Sequence, residues 1–360
     1  MAGRPGVNPL TGALTKPERL DKLNGRQWDE LLTLARYTRL TGRLYTLVVQ
    51  RGVLETIPPV ATDVLIGASI YTDHMQLLVR RELLALNSVL ADVDFPVVLL
   101  KGAAYLLSGL PAAEGRRMND IDILVPQANL AEMEERLECA GWGFDETLSA
   151  YDNHYYREWS HELPPMRHPN SPIELDVHHN LIQTTGRIKL DASLLFVDLV
   201  PVEGTVFTTL SPLDMVLHSA THLFMSDELR GGLRDLVDMH TLSAYFSAQD
   251  EQYWQKLAER ASELGLQRPL YYAAAAMRRN LHTSIPESAW RTIESGRPPR
   301  SVDRIMQRAI DRHIAPENIT RLRSPVTEHL LYLRSHWIRM PPLMLARHLV
   351  YKWWVGIKGE

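Results

Sequence analysis

Residues 97–125, VVLLKGAAYLLSGLPAAEGRRMNDIDILV, constrain the fold of this chain more than any other stretch. Val97 to Leu100 is a continuous apolar run, the pattern of a strand buried on both faces. Lys101-Gly102 ends it, and Ala103-Ala104-Tyr105-Leu106-Leu107 opens a helix at once. A glycine at a strand-to-helix turn lets the backbone approach a ligand closely, with free N–H groups at the helix start. A second strand then begins at Asp120-Ile121-Asp122. Residues i and i+2 of a strand share a face, so Asp120 and Asp122 project to one side while Ile121 and Ile123 project to the other. Two such acids repel, and folding avoids the pairing unless a cation is expected there. A lone D-x-D is also an ordinary turn and cap pattern. Here it has company: a glycine turn upstream, Arg116 and Arg117 just before it, and another acidic strand downstream.

That downstream strand is PIELDVHHNL, in which Ile173, Leu175 and Val177 face one way and Glu174, Asp176 and His178 the other. Asp120, Asp122 and Asp176, facing one way from neighbouring strands, form a set able to hold two Mg²⁺ ions and a nucleoside triphosphate. Hard oxygen ligands suit Mg²⁺ or Mn²⁺. Glu174 shares the face and rivals Asp176 as third ligand. Gly102 and the following amides, from Ala103 onward, are placed to take phosphate oxygens. Lys101, Arg116 or Arg117 would neutralise developing charge.

The rest of the chain divides around this core. Residues 1–18, rich in proline, are expected to be poorly ordered. Helical spacing of Trp28, Leu31, Leu32, Ala35 and Leu44 runs from Asn24 to about Arg51, with Gly42 as a break. A long helix follows, from Thr62 to about Asp92; its Arg80 and Arg81 read as a solvated face, the alternative being that one reaches a phosphate. An α/β core is expected over 95–205. Within it, residues 151–172 read as strand segments joined by a Pro164-Pro165 loop. From Ser211 onward the periodicity is helical, with Pro286 and 295–301 as loops. The expected segments are therefore 1–94, 95–205 and 206–360.

Other constellations are weaker. His218 and His222 share a helix face, but no third ligand accompanies them at a telling spacing, so packing is the better reading. Arg230 and Arg234 are candidates for a nucleotide pocket, and Asp235 and Asp238 for ion pairs or caps. The C-terminal segment mixes Arg321, Arg323, Arg334, Arg339, Arg347 and Lys352 with Trp337, Trp353 and Trp354. It reads either as a peripheral membrane or polyanion surface or, more plainly, as a packing segment with snorkelling arginines.

The 360 residues carry a net charge of −4, which argues against a nucleic-acid binder. Cys139 is the single cysteine, so an internal disulfide and a cysteine zinc cluster are excluded, in keeping with a cytoplasmic setting. The N-terminal residues lack the apolar core of a secretory signal, and no stretch reaches the roughly 18 apolar residues of a membrane span.

LLKGAAYLL, RRMNDIDILV and IELDVHHNL together resemble the polymerase-β-like nucleotidyltransferase superfamily and, more closely, the family of uncharacterised nucleotidyltransferases. The likeness continues into the Trp28-led helices and the helices of 213–242. It implies an α+β fold: a mixed-sheet core, N-terminal helices and a C-terminal helical domain. It also implies metal ligands at Asp120 and Asp122, a third carboxylate at Asp176 or Glu174, a phosphate turn at Gly102 and an arginine at Arg116. The superfamily's turn is Gly-Ser, whereas Ala103 follows Gly102 here, leaving Lys101 to share the phosphate work. The implied reaction is transfer of a nucleoside monophosphate from a triphosphate to a hydroxyl or phosphate acceptor. The alternatives are transfer of a sugar from a nucleotide sugar to a peptide or glycan, and a non-catalytic scaffold using the basic C-terminus. The acceptor itself, whether small molecule, peptide or glycan, is not legible in the sequence.

Overall fold

The computed structural model describes residues 8–145, 147–225, 229–316 and 325–347. Its centre is a seven-stranded mixed sheet. The strands are β1 (Val97–Leu99), β2 (Asp120–Leu124), β3 (Gly143–Phe144), β4 (Met166–Arg167), β5 (Glu174–His178), β6 (Val200–Pro201) and β7 (Phe207–Thr209), in the order β3-β4-β5-β2-β1-β7-β6. β2 lies antiparallel to β1 and parallel to β5, so the two acidic strands are neighbours. Val97, Val98, Leu99, Ile121, Ile123, Leu175 and Val177 are all buried, which explains the apolar positions of β1, β2 and β5.

Helices α1 (Pro9–Thr15), α2 (Gly25–Tyr37), α3 (Thr41–Gln50) and α4 (Pro59–Val89) precede the sheet. A capping box at Asn24 and Gln27 starts α2. The break before α3 falls at Thr38–Leu40 rather than at Gly42, which lies inside α3 and passes close to Gly115. Residues 8–16 are ordered, contrary to expectation. Asn8 caps α1, Pro9 occupies the first turn, and Leu10 is fully buried; burial of that face outweighs the proline-rich composition.

A second correction concerns residues 150–159. Helix α5 (Lys101–Leu107) follows β1 and α6 (Leu130–Cys139) follows β2, and residues 150–159 form a further helix, α7, not strands. Tyr151, Tyr155 and Trp159 recur every four residues and their rings meet edge to face, a helical period that the local run of aromatics disguised. Only Met166–Arg167 is strand. In the C-terminal half, α8 (Pro212–Met225), α9 (Leu233–Ser247), α10 (Tyr253–Glu263) and α11 (Gln267–Leu281) pack together around Phe224 and Tyr272. Pro286 lies in the connection before α12 (Glu287–Glu294), and the turn and loop of 295–299 lead into α13 (Arg300–His313). Helix α14 (Pro325–Arg339) follows.

Of the described C-terminal arginines, Arg334 is a packing residue, Arg339 lines the cavity described below and Arg347 is exposed. Arg334 donates to the Phe224 carbonyl at 2.9 Å and covers the Tyr272 ring, while Arg187 stacks 3.9 Å from the Trp337 ring centre. Arg321, Arg323, Lys352, Trp353 and Trp354 lie outside the described residues. No described helix is long and apolar enough to cross a membrane.

Candidate active site

The parallel register of β2 and β5 sets Asp120 opposite Glu174 and Asp122 opposite Asp176. All four carboxylates line one cavity of about 660 Å³. Lys101, Arg116, Tyr155, His161, Glu162, His178, His222, Arg234, Arg39 and Arg339 complete its charged and aromatic wall. A larger cavity of 730 Å³ lies beyond Ile182 and Gln183, but it holds none of these carboxylates.

Asp122 is the hub. Its Oδ1 accepts from Lys101 Nζ at 2.8 Å and lies 3.1 Å from His178 Nε2, whose other nitrogen lies 3.1 Å from Glu162. Burial alone would raise the Asp122 pKa, but the Lys101 charge and the His178 hydrogen bond outweigh it and hold the carboxyl well below its ordinary range. Lys101 and His178 are raised in turn, the carboxylates overcoming the opposing effect of burial. Asp176, with no cation of its own, is pushed up to about 8 by burial and by the neighbouring Asp122 charge. Lys101 has a left-handed backbone, φ +43°, a strained conformation for a residue with a side chain.

The remaining predicted residues fall into two groups. Arg116 reaches the cavity wall, but its guanidinium is engaged by Asp238 at 2.7 Å, both side chains being buried, and it sits over the Tyr105 ring. Gly102 backs onto it, and a Cβ there would strike the Arg116 guanidinium. Gly102 and Ala103 are buried behind the cavity rather than lining it, and Arg117 turns away to stack on Tyr71 at 4.9 Å. Arg81 pairs with Glu82 and Arg80 donates to the Leu106 carbonyl, so neither reaches the site. Asp235 pairs with Arg234 at 3.0 Å.

His218 and His222 are neighbours at 6.4 Å between ring centres and belong to no metal-holding group among the described residues. The Lys101 charge, with burial, lowers His222 to about 3, so its ring is neutral. Sequence reasoning missed Arg39, Tyr155, His161, Glu162 and Arg339. Arg39 and Arg339 are far from residues 97–125 in sequence, and His161 and Glu162 sit in a stretch read as strand.

A model of the uncharacterised nucleotidyltransferases matches residues 24–282, the span that contains the acidic strands, the Lys101 turn and helices α2 to α11. The chain belongs to the uncharacterised nucleotidyltransferase family. Neither the curated proteins nor the solved structures returned a match. Family membership supports a general role in nucleotidyl transfer and a nucleotide substrate, and nucleotidyltransferases generally use divalent metals.

Proposed function

We propose that this protein is a Mg²⁺- or Mn²⁺-dependent transferase that moves a nucleoside monophosphate from a nucleoside triphosphate to a hydroxyl or phosphate acceptor. The observation that carries this reading is the Asp122–Asp176 juxtaposition. Two carboxylates in register in a protein-lined cavity, one held ionised and the other driven to keep its proton, form a donor set that a dication suits. Asp120, Asp122 and Asp176 would hold it, with Glu174 beside them. A dication there supplies charge neutralisation at the triphosphate and lowers the pKa of the acceptor hydroxyl.

The protein's own groups do the rest. Lys101 and His178 hold Asp122 as a carboxylate aimed into the cavity, by two hydrogen bonds to one oxygen. An acceptor hydroxyl releases its proton to solvent as its oxygen bonds to the α-phosphorus, the α–β phosphoanhydride bond breaks, and pyrophosphate leaves with the electron pair. Phosphate charge falls to the cations on the cavity wall. With Arg116 occupied by Asp238, Arg234 by Asp235 and the Gly102 turn buried, Arg39 is the better candidate. Arg39 is exposed, has φ +58°, and makes no ion pair or side-chain hydrogen bond among the described residues. It lines both this cavity and an adjoining one of 350 Å³ that also contains Arg230, Arg234 and His222. Arg39→Ala is expected to raise the KM for the nucleotide about tenfold with a smaller change in kcat, the loss of one charge-assisted hydrogen bond. Steady-state kinetics checks this, and an unchanged KM would return the phosphate to the Lys101 turn.

A thermal-shift screen tests the reading as a whole. With Mg²⁺ present, nucleoside triphosphates are expected to raise the melting temperature, and Asp120→Asn to abolish the rise. Stabilisation by nucleotide sugars alone would instead favour sugar transfer.

The response to Mg²⁺ is also expected to depend on pH. Asp176 has a pKa of about 8 in the folded chain, against 3.8 for an ordinary aspartate, so the native state binds more protons than the unfolded one between those values. Stability from this group is therefore lost as pH rises through that window. A dication competes with the Asp176 proton, so the melting-point rise from Mg²⁺ alone should be larger at pH 9 than at pH 6. A pH-independent rise would remove Asp176 from the metal set.

A further inference from the structure

His161, Glu162 and His178 make a second donor cluster in the same cavity, of different chemistry from the aspartates. One ligand atom from each falls within 4.8 Å of the others. Glu162 Oε2 lies 3.1 Å from His178 Nδ1 and 3.8 Å from His161 Nε2. His161 and Glu162 are consecutive, yet both side chains line the cavity, which an extended chain would not allow. The backbone there is pinned: His179 N donates to the His161 carbonyl at 2.8 Å, Leu163 N donates to the Val177 carbonyl at 2.9 Å, and Glu162 bridges His178. The cluster is therefore held before any ligand arrives. His161 Nδ1 is a buried nitrogen with no hydrogen-bond partner among the described residues.

We propose that His161, Glu162 and His178 form a binding site for a borderline transition-metal dication such as Zn²⁺, distinct from the all-oxygen site of the aspartates. Two imidazoles and one carboxylate are a three-ligand set that suits Zn²⁺ far better than Mg²⁺ and leaves coordination open for water or a substrate oxygen. The surroundings fit as well. The His178 Nε2–Asp122 hydrogen bond fixes the ring with Nδ1 directed at Glu162, the carboxylate–histidine arrangement that orients metal-bound imidazoles. The proton that His178 shares with Glu162 is the one a metal ion would displace. The cavity thus sorts two cations by donor type, with Asp122 touching both sets. This inference does not depend on nucleotidyl transfer, since it concerns metal affinity alone.

The test is calorimetric titration of the chelator-treated full chain with ZnCl₂. The expected result is one equivalent bound tightly, with affinity lowered about 100-fold or more in His161→Ala/Glu162→Ala and retained in Asp120→Asn. Melting curves in chelator show whether the double variant folds. Glu162→Gln, nearly isosteric, serves as the second variant, with weaker Zn²⁺ binding expected. Co²⁺ in place of Zn²⁺ should give visible absorption that the Glu162 variant alters. Zn²⁺ binding that survives Glu162→Gln unchanged, or that is lost in Asp120→Asn, would place the ion on the aspartates and overturn the proposal, as would no binding by the wild-type chain. Failure of the triphosphate screen with Zn²⁺ binding intact would overturn only the transfer reading.

Discussion

Asp120→Asn is expected to reduce turnover about a thousandfold while leaving the melting temperature unchanged. Asp120 is exposed at the start of β2, and no ion pair or side-chain hydrogen bond engages it among the described residues. Its replacement therefore falls among surface changes worth within about 0.5 kcal/mol of stability. Its proposed contribution is as a metal ligand. Charge stabilisation by a bound dication is worth several kcal/mol, and about 1.4 kcal/mol corresponds to tenfold in rate. Asp122→Asn should be equally inactive but also less stable, because Lys101 and His178 lose the anion they share inside the protein. Measuring label transfer from a nucleoside triphosphate beside a melting curve separates the two variants. Full activity in Asp120→Asn would remove that residue from the metal set.

The second large effect is structural. Arg116 and Asp238 are buried to within a few per cent and meet at 2.7 Å, tying the loop before β2 to helix α9. Asp238→Ala leaves the Arg116 guanidinium buried and unpaired, with Gly102 and Tyr105 packed against it. Removing one partner of such a pair costs about 3–5 kcal/mol, a fall in melting temperature of about 4–7 °C for a chain of this length. The double variant Arg116→Met/Asp238→Leu should lose much less, because neither member of the pair is then left buried without the other. Thermal denaturation of the single and double variants checks both statements. A single variant that melts with the wild type would mean that solvent reaches the pair and that it does not anchor β2.

How much of this was legible in the sequence varies with the range of the interaction. The acidic face of β2 and that of β5 follow from alternation within each strand, a property of five consecutive residues. The lysine at 101 stood out because it interrupts an apolar run at a turn. Residues 150–159 misled because aromatic and histidine residues occupy both strand-like and helical positions, and only the packing of Tyr151, Tyr155 and Trp159 selects the helix. Arg116 was legible as important and Asp238 as an ion-pair candidate, yet they are 122 residues apart and nothing local pairs one with the other. The order of residues 8–16 likewise depends on a distant contact, for Asn8 donates to the Pro316 carbonyl.

The chemistry available is written in the residue order: alternating carboxylates on two strands, a glycine-limited turn, a single cysteine and the family to which these patterns belong. How that chemistry is divided follows from the packing of distant segments. Parallel pairing of β2 with β5 placed Asp122 against Asp176, so that one is held ionised and the other keeps its proton. Asp238 on helix α9 engages Arg116 at the cavity wall, and the bend at 160–162 brings His161 and Glu162 to His178. The physical reason is that a side chain's type and local direction are set by its neighbours in the chain. Its charge state and its partners are set by whatever distant segments exclude water around it.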